Sequence, residues 1–107
     1  MTSLGEFELL VLLAVLQAGD AANGSAILQQ LQERSGRAVA RGALYVTLDR
    51  LEGKGLLVST TEAGTPERGG RPRRFYKVRA AGRQALRTSL ESLARMQHGL
   101  NFEVKPR

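Results

Sequence analysis

The sequence predicts a mainly α-helical fold carrying one small β-hairpin. Three observations lead there. Leucine-rich segments with helical spacing fill the first half of the chain. Two short runs of strand formers then flank a Pro-, Gly- and Arg-rich stretch. A last segment, from Ala80 to about Leu100, again repeats leucines at intervals of three and four. Apolar residues recurring at i, i+3, i+4 and i+7 mark an amphipathic helix, whereas β-branched and aromatic runs bounded by turn residues mark strands.

Glu6 to Leu16 forms the first helix. Its LLVLLAVL run, Leu9 to Leu16, is apolar almost all round, so the helix belongs in the middle of a small domain. Glu6 and Glu8 suit a helix N-terminus, and they stand where a secretion signal would carry positive charge. Eight apolar residues are also far fewer than the roughly 20 needed to span a bilayer, and no membrane partner is expected. QAGDAANG, Gln17 to Gly24, is a turn of small residues in which Asn23 is placed to cap the next helix. Ser25 to Arg34 follows, with Ile27, Leu28 and Leu31 on one face and Gly36 as its terminator.

A short connection, Ser35 to Ala40, leads to RGALYVTLDRLEGKG, Arg41 to Gly55. Leu44, Leu48 and Leu51 form its inward stripe. Leu56 to Ala63 and Arg74 to Arg79 read as two strands, with Phe75, Tyr76 and Val78 as packing residues. Gly64 to Pro72 joins them as a long, basic hairpin tip. In the last helix Leu86, Leu90, Leu93 and Leu100 make an apolar stripe bordered by Met96. That stripe is covered either by folding back on its own core or by the same helix of a second copy. A chain of 107 residues buries only a modest core, which favours the second arrangement.

Three helices, a hairpin and a fourth helix are the order of a winged helix-turn-helix domain, residues 1–79, followed by a dimerisation helix and tail, residues 80–107. Charge agrees. Residues 1–20 hold three acids and no base, while residues 34–87 hold thirteen Lys or Arg against four acids, a local net of +9. Such an uneven distribution favours a polyanion-binding face over uniform solubilising charge: nucleic acid first, with an anionic membrane or acidic protein, or a plain solvated surface, as the alternatives; with the helix order above, double-stranded DNA is the expected partner. The absence of cysteine removes disulfides and thiolate metal sites and suits a reducing cytoplasm. His98 is the single histidine, and no Gly-Lys-Ser phosphate loop is present, so no enzyme, metal centre or cofactor is expected.

If Leu44, Leu48 and Leu51 point inward, Ala43, Val46, Arg50 and Lys54 point outward, with Gly42 beside them. Small side chains there let the helix approach base edges; Ala43 or Val46 would meet a thymine methyl and Arg50 a guanine. Arg41, Tyr45 and Thr47 are placed for phosphates. Alternatives stand for three of these. Arg50 would equally be a solvated arginine paired with Asp49 or Glu52, Tyr45 a packing residue at the core rim, and Lys54 an ordinary helix C-terminal charge. In the hairpin tip, Arg68, Arg71, Arg73 and Arg74 repel one another until a polyanion arrives, and Gly69 and Gly70 let the tip follow a groove.

Three blocks, LGEFELLVLLAVLQAG, GSAILQQLQERSGRAVARGALYVTLDRLEGKGLL and TPERGGRPRRFYKVRAAGRQAL, resemble the PadR family of bacterial transcriptional regulators. The likeness runs from about Leu4 to Leu90, and its most specific parts are ALYVTLDRLEGKGLL and GGRPRRFYKVRAAG. It implies a homodimeric winged-helix DNA-binding protein, in most members a repressor. Tyr45 resembles the family's recognition-helix tyrosine, Gly69, Gly70 and Arg71 its wing tip, and Gly82 the glycine opening its dimerisation helix. The chain departs at Asn23, where members often carry tyrosine, and resembles the short class with one C-terminal helix. Some members respond to phenolic acids or hydrophobic drugs. A cleft between subunits would correspondingly suit a small apolar or aromatic effector, although the drug-stacking tryptophan of some members has no counterpart here.

Overall fold

The structure, a computed structural model, describes residues 3–102. The side chain of Arg68 and tail residues 103–107 lie outside the described residues. The elements are α1 (Glu6–Ala18), α2 (Gly24–Ser35), α3 (Arg41–Gly53), β1 (Leu57–Glu62), β2 (Arg73–Val78) and α4 (Ala80–Gln97). Short 3₁₀ turns occupy Gly19–Ala21 and Pro66–Arg68.

Local chemistry sets most of these boundaries. The Asn23 side chain caps α2 by accepting from the Ala26 N–H at 2.9 Å, and Gly36 ends that helix with φ of 72°, as expected. Glu8, third in α1, reaches back to accept from the Gly5 N–H at 3.0 Å, one half of a capping box. α3 stops at Gly53, two residues before the expected end, and α4 stops at Gln97 rather than near Leu100.

One core joins all the elements. Val11, Leu12, Ile27, Leu44, Leu48 and Leu51 are fully buried at the centre of the three-helix unit, and Leu56, Leu57 and Tyr76 seal it beneath the hairpin. α1 is central, yet Leu9, Leu10, Leu13 and Leu16 remain only partly covered, so its apolar surface exceeds what one chain buries.

β1 and β2 pair antiparallel in a register that sets Ser59 opposite Tyr76 and Glu62 opposite Arg73. A contact that the sequence did not announce ties this hairpin down. The Tyr76 N–H donates to the Ala22 carbonyl at 2.9 Å, and Asn23 bridges to Phe75. The turn between α1 and α2 thus borders β2 as a rudimentary third strand. Ala22 and Asn23 carry no strand pattern of their own, because the pairing is made by backbone alone.

The first two turns of α4 pack into the same core through Ala85 and Leu86, which are 7% and 4% exposed. Leu86 was expected in an intersubunit stripe; within one protomer it is instead a core residue. Gly82 is buried because α4 crosses the start of β1 so closely that a methyl group there would meet the Leu56 carbonyl and Val78. Thr88 and Ser89 are still half-buried, and from Leu90 on the helix is exposed. Leu90, Leu93, Met96 and Leu100 are 41%, 48%, 75% and 62% exposed. No helix among the described residues is long and apolar enough to cross a membrane.

Candidate nucleic-acid interface

α3 turns two different faces outward and inward. Arg41, Gly42, Ala43, Val46 and Arg50 are exposed on its outer side, with Val46 at 59%. The inward stripe is Leu44, Thr47, Leu48 and Leu51. Thr47 is therefore a correction. It was expected at a phosphate but is 4% exposed and lies in the core-facing stripe. Its position at i+3 from Leu44 carried that signal in the sequence; its hydroxyl suggested otherwise.

Arg50 makes no salt bridge among the described residues. The two acids that would have held it are engaged elsewhere. Arg74, on β2, donates through Nη2 to Glu52 and through Nε to the Ser59 hydroxyl at 3.0 Å. Its Nη1 lies 3.8 Å from Asp49, and its guanidinium sits 5.3 Å from the centre of the Tyr76 ring. Ser59 completes the ring by donating to Glu52 at 2.7 Å. The Ser59 hydroxyl, partly offset by desolvation and joined by the Arg74 charge, holds the Glu52 carboxyl below its ordinary value. Arg74 was expected to face DNA; its donors are instead largely spent on the protein.

Lys54 is a second such case. Its Nζ pairs with Glu8 at 2.8 Å, tying the end of α3 to the start of α1. Burial raises the Glu8 carboxyl, and the bonds from Lys54 and from the Gly5 N–H outweigh that effect, leaving it below its ordinary value.

Tyr45 is 39% exposed on the flank of α3, with its hydroxyl over the first turn of α2 at Gly24. Between these residues and the base of the hairpin lies a cleft of about 680 Å³, lined by Asn23, Gly24, Tyr45, Arg71, Arg73 and Tyr76 among others. Tyr76 is 2% exposed, its hydroxyl has no hydrogen-bond partner among the described residues, and burial pushes its titration upward. The hairpin tip turns at Gly69 and Gly70, with φ of 66° and 78°. Those left-handed conformations explain the glycine pair. Arg71 and Arg73 are exposed beside them.

A compact helical pair, an outward α3 with small and basic side chains, and a basic two-stranded tip next to it make up a winged helix-turn-helix. A model of the PadR-like transcriptional regulator family matches residues 12–88. The chain belongs to that family. A Mycobacterium tuberculosis transcriptional regulator is 44% identical over 81 residues, 73% of this chain and 71% of the relative. A PadR family transcription regulator from Clostridium difficile R20291 superimposes with a TM-score of 0.70 at 25% identity, covering 87% of this chain and 92% of its own. A PadR family transcriptional regulator from Eggerthella lenta gives 0.67 at 30% identity, covering 84% and 76%. Like these PadR regulators, the chain serves transcriptional regulation rather than catalysis.

Proposed function

We propose that this PadR-family chain is a sequence-specific double-stranded DNA-binding regulator that acts as a homodimer on a palindromic operator, with repression as its outcome. The observation that carries DNA reading is the outer face of α3. Ala43, Val46 and Arg50 project from one side of a helix whose other side is wholly core. That side offers a methyl-sized surface for thymine and a guanidinium for guanine at the spacing of a major groove. Arg41 and Tyr45 flank it toward the phosphates, and Gly69, Gly70, Arg71 and Arg73 form a wing for the adjacent backbone or minor groove.

Dimerisation is supported by the exposed stripe Leu90, Leu93, Met96 and Leu100 and by the partly covered leucines of α1. Leu9 of α1 and Leu93 of α4 line the same surface groove, so parts of the two sets adjoin, and contiguous exposed apolar surface marks an interaction site. A two-fold axis through α4 would present two α3 helices to successive major grooves about 34 Å apart, hence an operator with dyad symmetry.

Titrating a genomic fragment recovered by selection, against scrambled competitor, tests the reading. Preference for the selected fragment is expected, and equal affinity for both would rule out sequence-specific regulation. A promoter–reporter strain with and without the gene tests the sign; output should rise on deletion.

A further inference from the structure

Arg74 occupies the place in the chain where a wing arginine would meet DNA, yet its surroundings belong to the protein. Arg74 and Tyr76 are two residues apart on β2 and share one face, and Ser59 stands opposite Tyr76 on β1. That face looks toward α3, from which Asp49 and Glu52 project as neighbours one turn apart. The resulting cluster spans both strands of the hairpin and the outer flank of the helix: Arg74 to Glu52, Arg74 to Ser59, Ser59 to Glu52, Arg74 near Asp49, and Arg74 against the Tyr76 ring. At the base of the hairpin Leu56 and Leu57 join the same buried core as Leu44, Leu48 and Leu51 of α3. A planar guanidinium with several fixed donors is suited to such a multipoint junction, and a lysine is not.

We infer that Arg74 is a positioning residue rather than a DNA contact: with Glu52 and Ser59 it forms a strut that fixes the wing relative to the recognition helix. This role rests on the DNA-binding reading above. The separation between base reading by α3 and backbone contact by the wing is then set inside the protein before DNA arrives. Pre-set geometry of this kind spares the complex the cost of ordering the wing on binding. It also gives two acids, Asp49 and Glu52, a place on an otherwise basic face. Simple charge repulsion would disfavour them there, and removing one should by that logic strengthen DNA binding.

The opposing signs provide the test. Glu52→Gln keeps the shape of the side chain and removes its charge. The strut predicts that this variant binds the selected operator about fivefold more weakly, on the scale of coupling through a packed network. Arg74→Gln should also bind more weakly, with the slope of log affinity against log salt unchanged. A direct phosphate contact would instead lower that slope by about 1. Equal or tighter operator binding by Glu52→Gln, or a reduced slope for Arg74→Gln, overturns the strut.

A second readout needs no DNA. The chain has no cysteine, so spin labels at Glu67→Cys in the wing and Gln29→Cys on α2, in labelled chain diluted with excess unlabelled chain, report one distance within a protomer. A narrow distribution is expected in the otherwise native chain and a broader one after Glu52→Gln. An unchanged distribution overturns the strut. Failure of the native chain to bind any DNA, combined with broadening on Glu52→Gln, would sink the DNA-binding reading and leave the strut standing.

Discussion

The Tyr45 hydroxyl occupies the space above α2 that any side chain on Gly24 would need. The two residues lie on different helices of the helix-turn-helix pair, so their contact sets how closely the pair packs next to the candidate interface.

Gly24→Ala is therefore expected to push aside the far end of the half-exposed Tyr45 side chain and to forgo the usual Gly→Ala gain, for a net cost of up to about 1 kcal/mol. Gly42→Ala, on the same helix as Tyr45 but with open space around it, should instead stabilise by about 0.4–1 kcal/mol. Urea unfolding of both variants checks the contrast. Equal effects of the same sign would mean that the Gly24–Tyr45 contact is not made in solution.

Arg50→Ala should relax base preference at one operator position, since Arg50 is exposed and makes no salt bridge among the described residues. Arg71→Ala should weaken all DNA more evenly and lower the salt slope by about 1. Isotherms on matched and mismatched sites at several salt concentrations distinguish the two. A preserved specificity ratio in the Arg50 variant would remove that residue from base reading.

The leucines of α4 should divide into two classes. Leu90→Asp with Leu93→Asp is expected to yield a folded monomer, because both side chains are largely exposed within one protomer. Leu86→Ala should keep the chain dimeric yet cost about 2–5 kcal/mol, as for other buried leucines. Sedimentation velocity at micromolar concentration, paired with thermal unfolding, reads both. A native chain that stays monomeric alone and with its operator would end the dimer proposal.

Acid should destabilise the fold through Glu8 and Glu52. Both carboxyls titrate below their ordinary values in the folded chain. Unfolding raises those values, so the unfolded state binds more protons. The stabilisation is present above the ordinary carboxylate value and is lost as pH falls through the lower, folded-state values. Glu8→Gln should flatten the fall of the urea midpoint over that interval. A curve parallel to that of the native chain would show that the Lys54–Glu8 pair contributes nothing to stability.

The amino-acid sequence by itself determined the helices, the two caps of α2 and the hairpin. Asn23 and Gly36 bound α2 through bonds reaching three or four residues along the chain, and the leucine spacing of α3 identified its inner face. These features are legible because their partners lie within one helical turn. Tertiary structure decided which basic residues are engaged within the protein. Lys54 finds Glu8 across 46 positions, Arg74 finds Glu52 across 22, and Leu86 joins a core assembled from every helix. A cation shows the same pattern in sequence whether its partner is a phosphate or a distant carboxylate. Only the folded path of the chain, which sets the hairpin against α3 and α1 beneath its end, brings those carboxylates within reach.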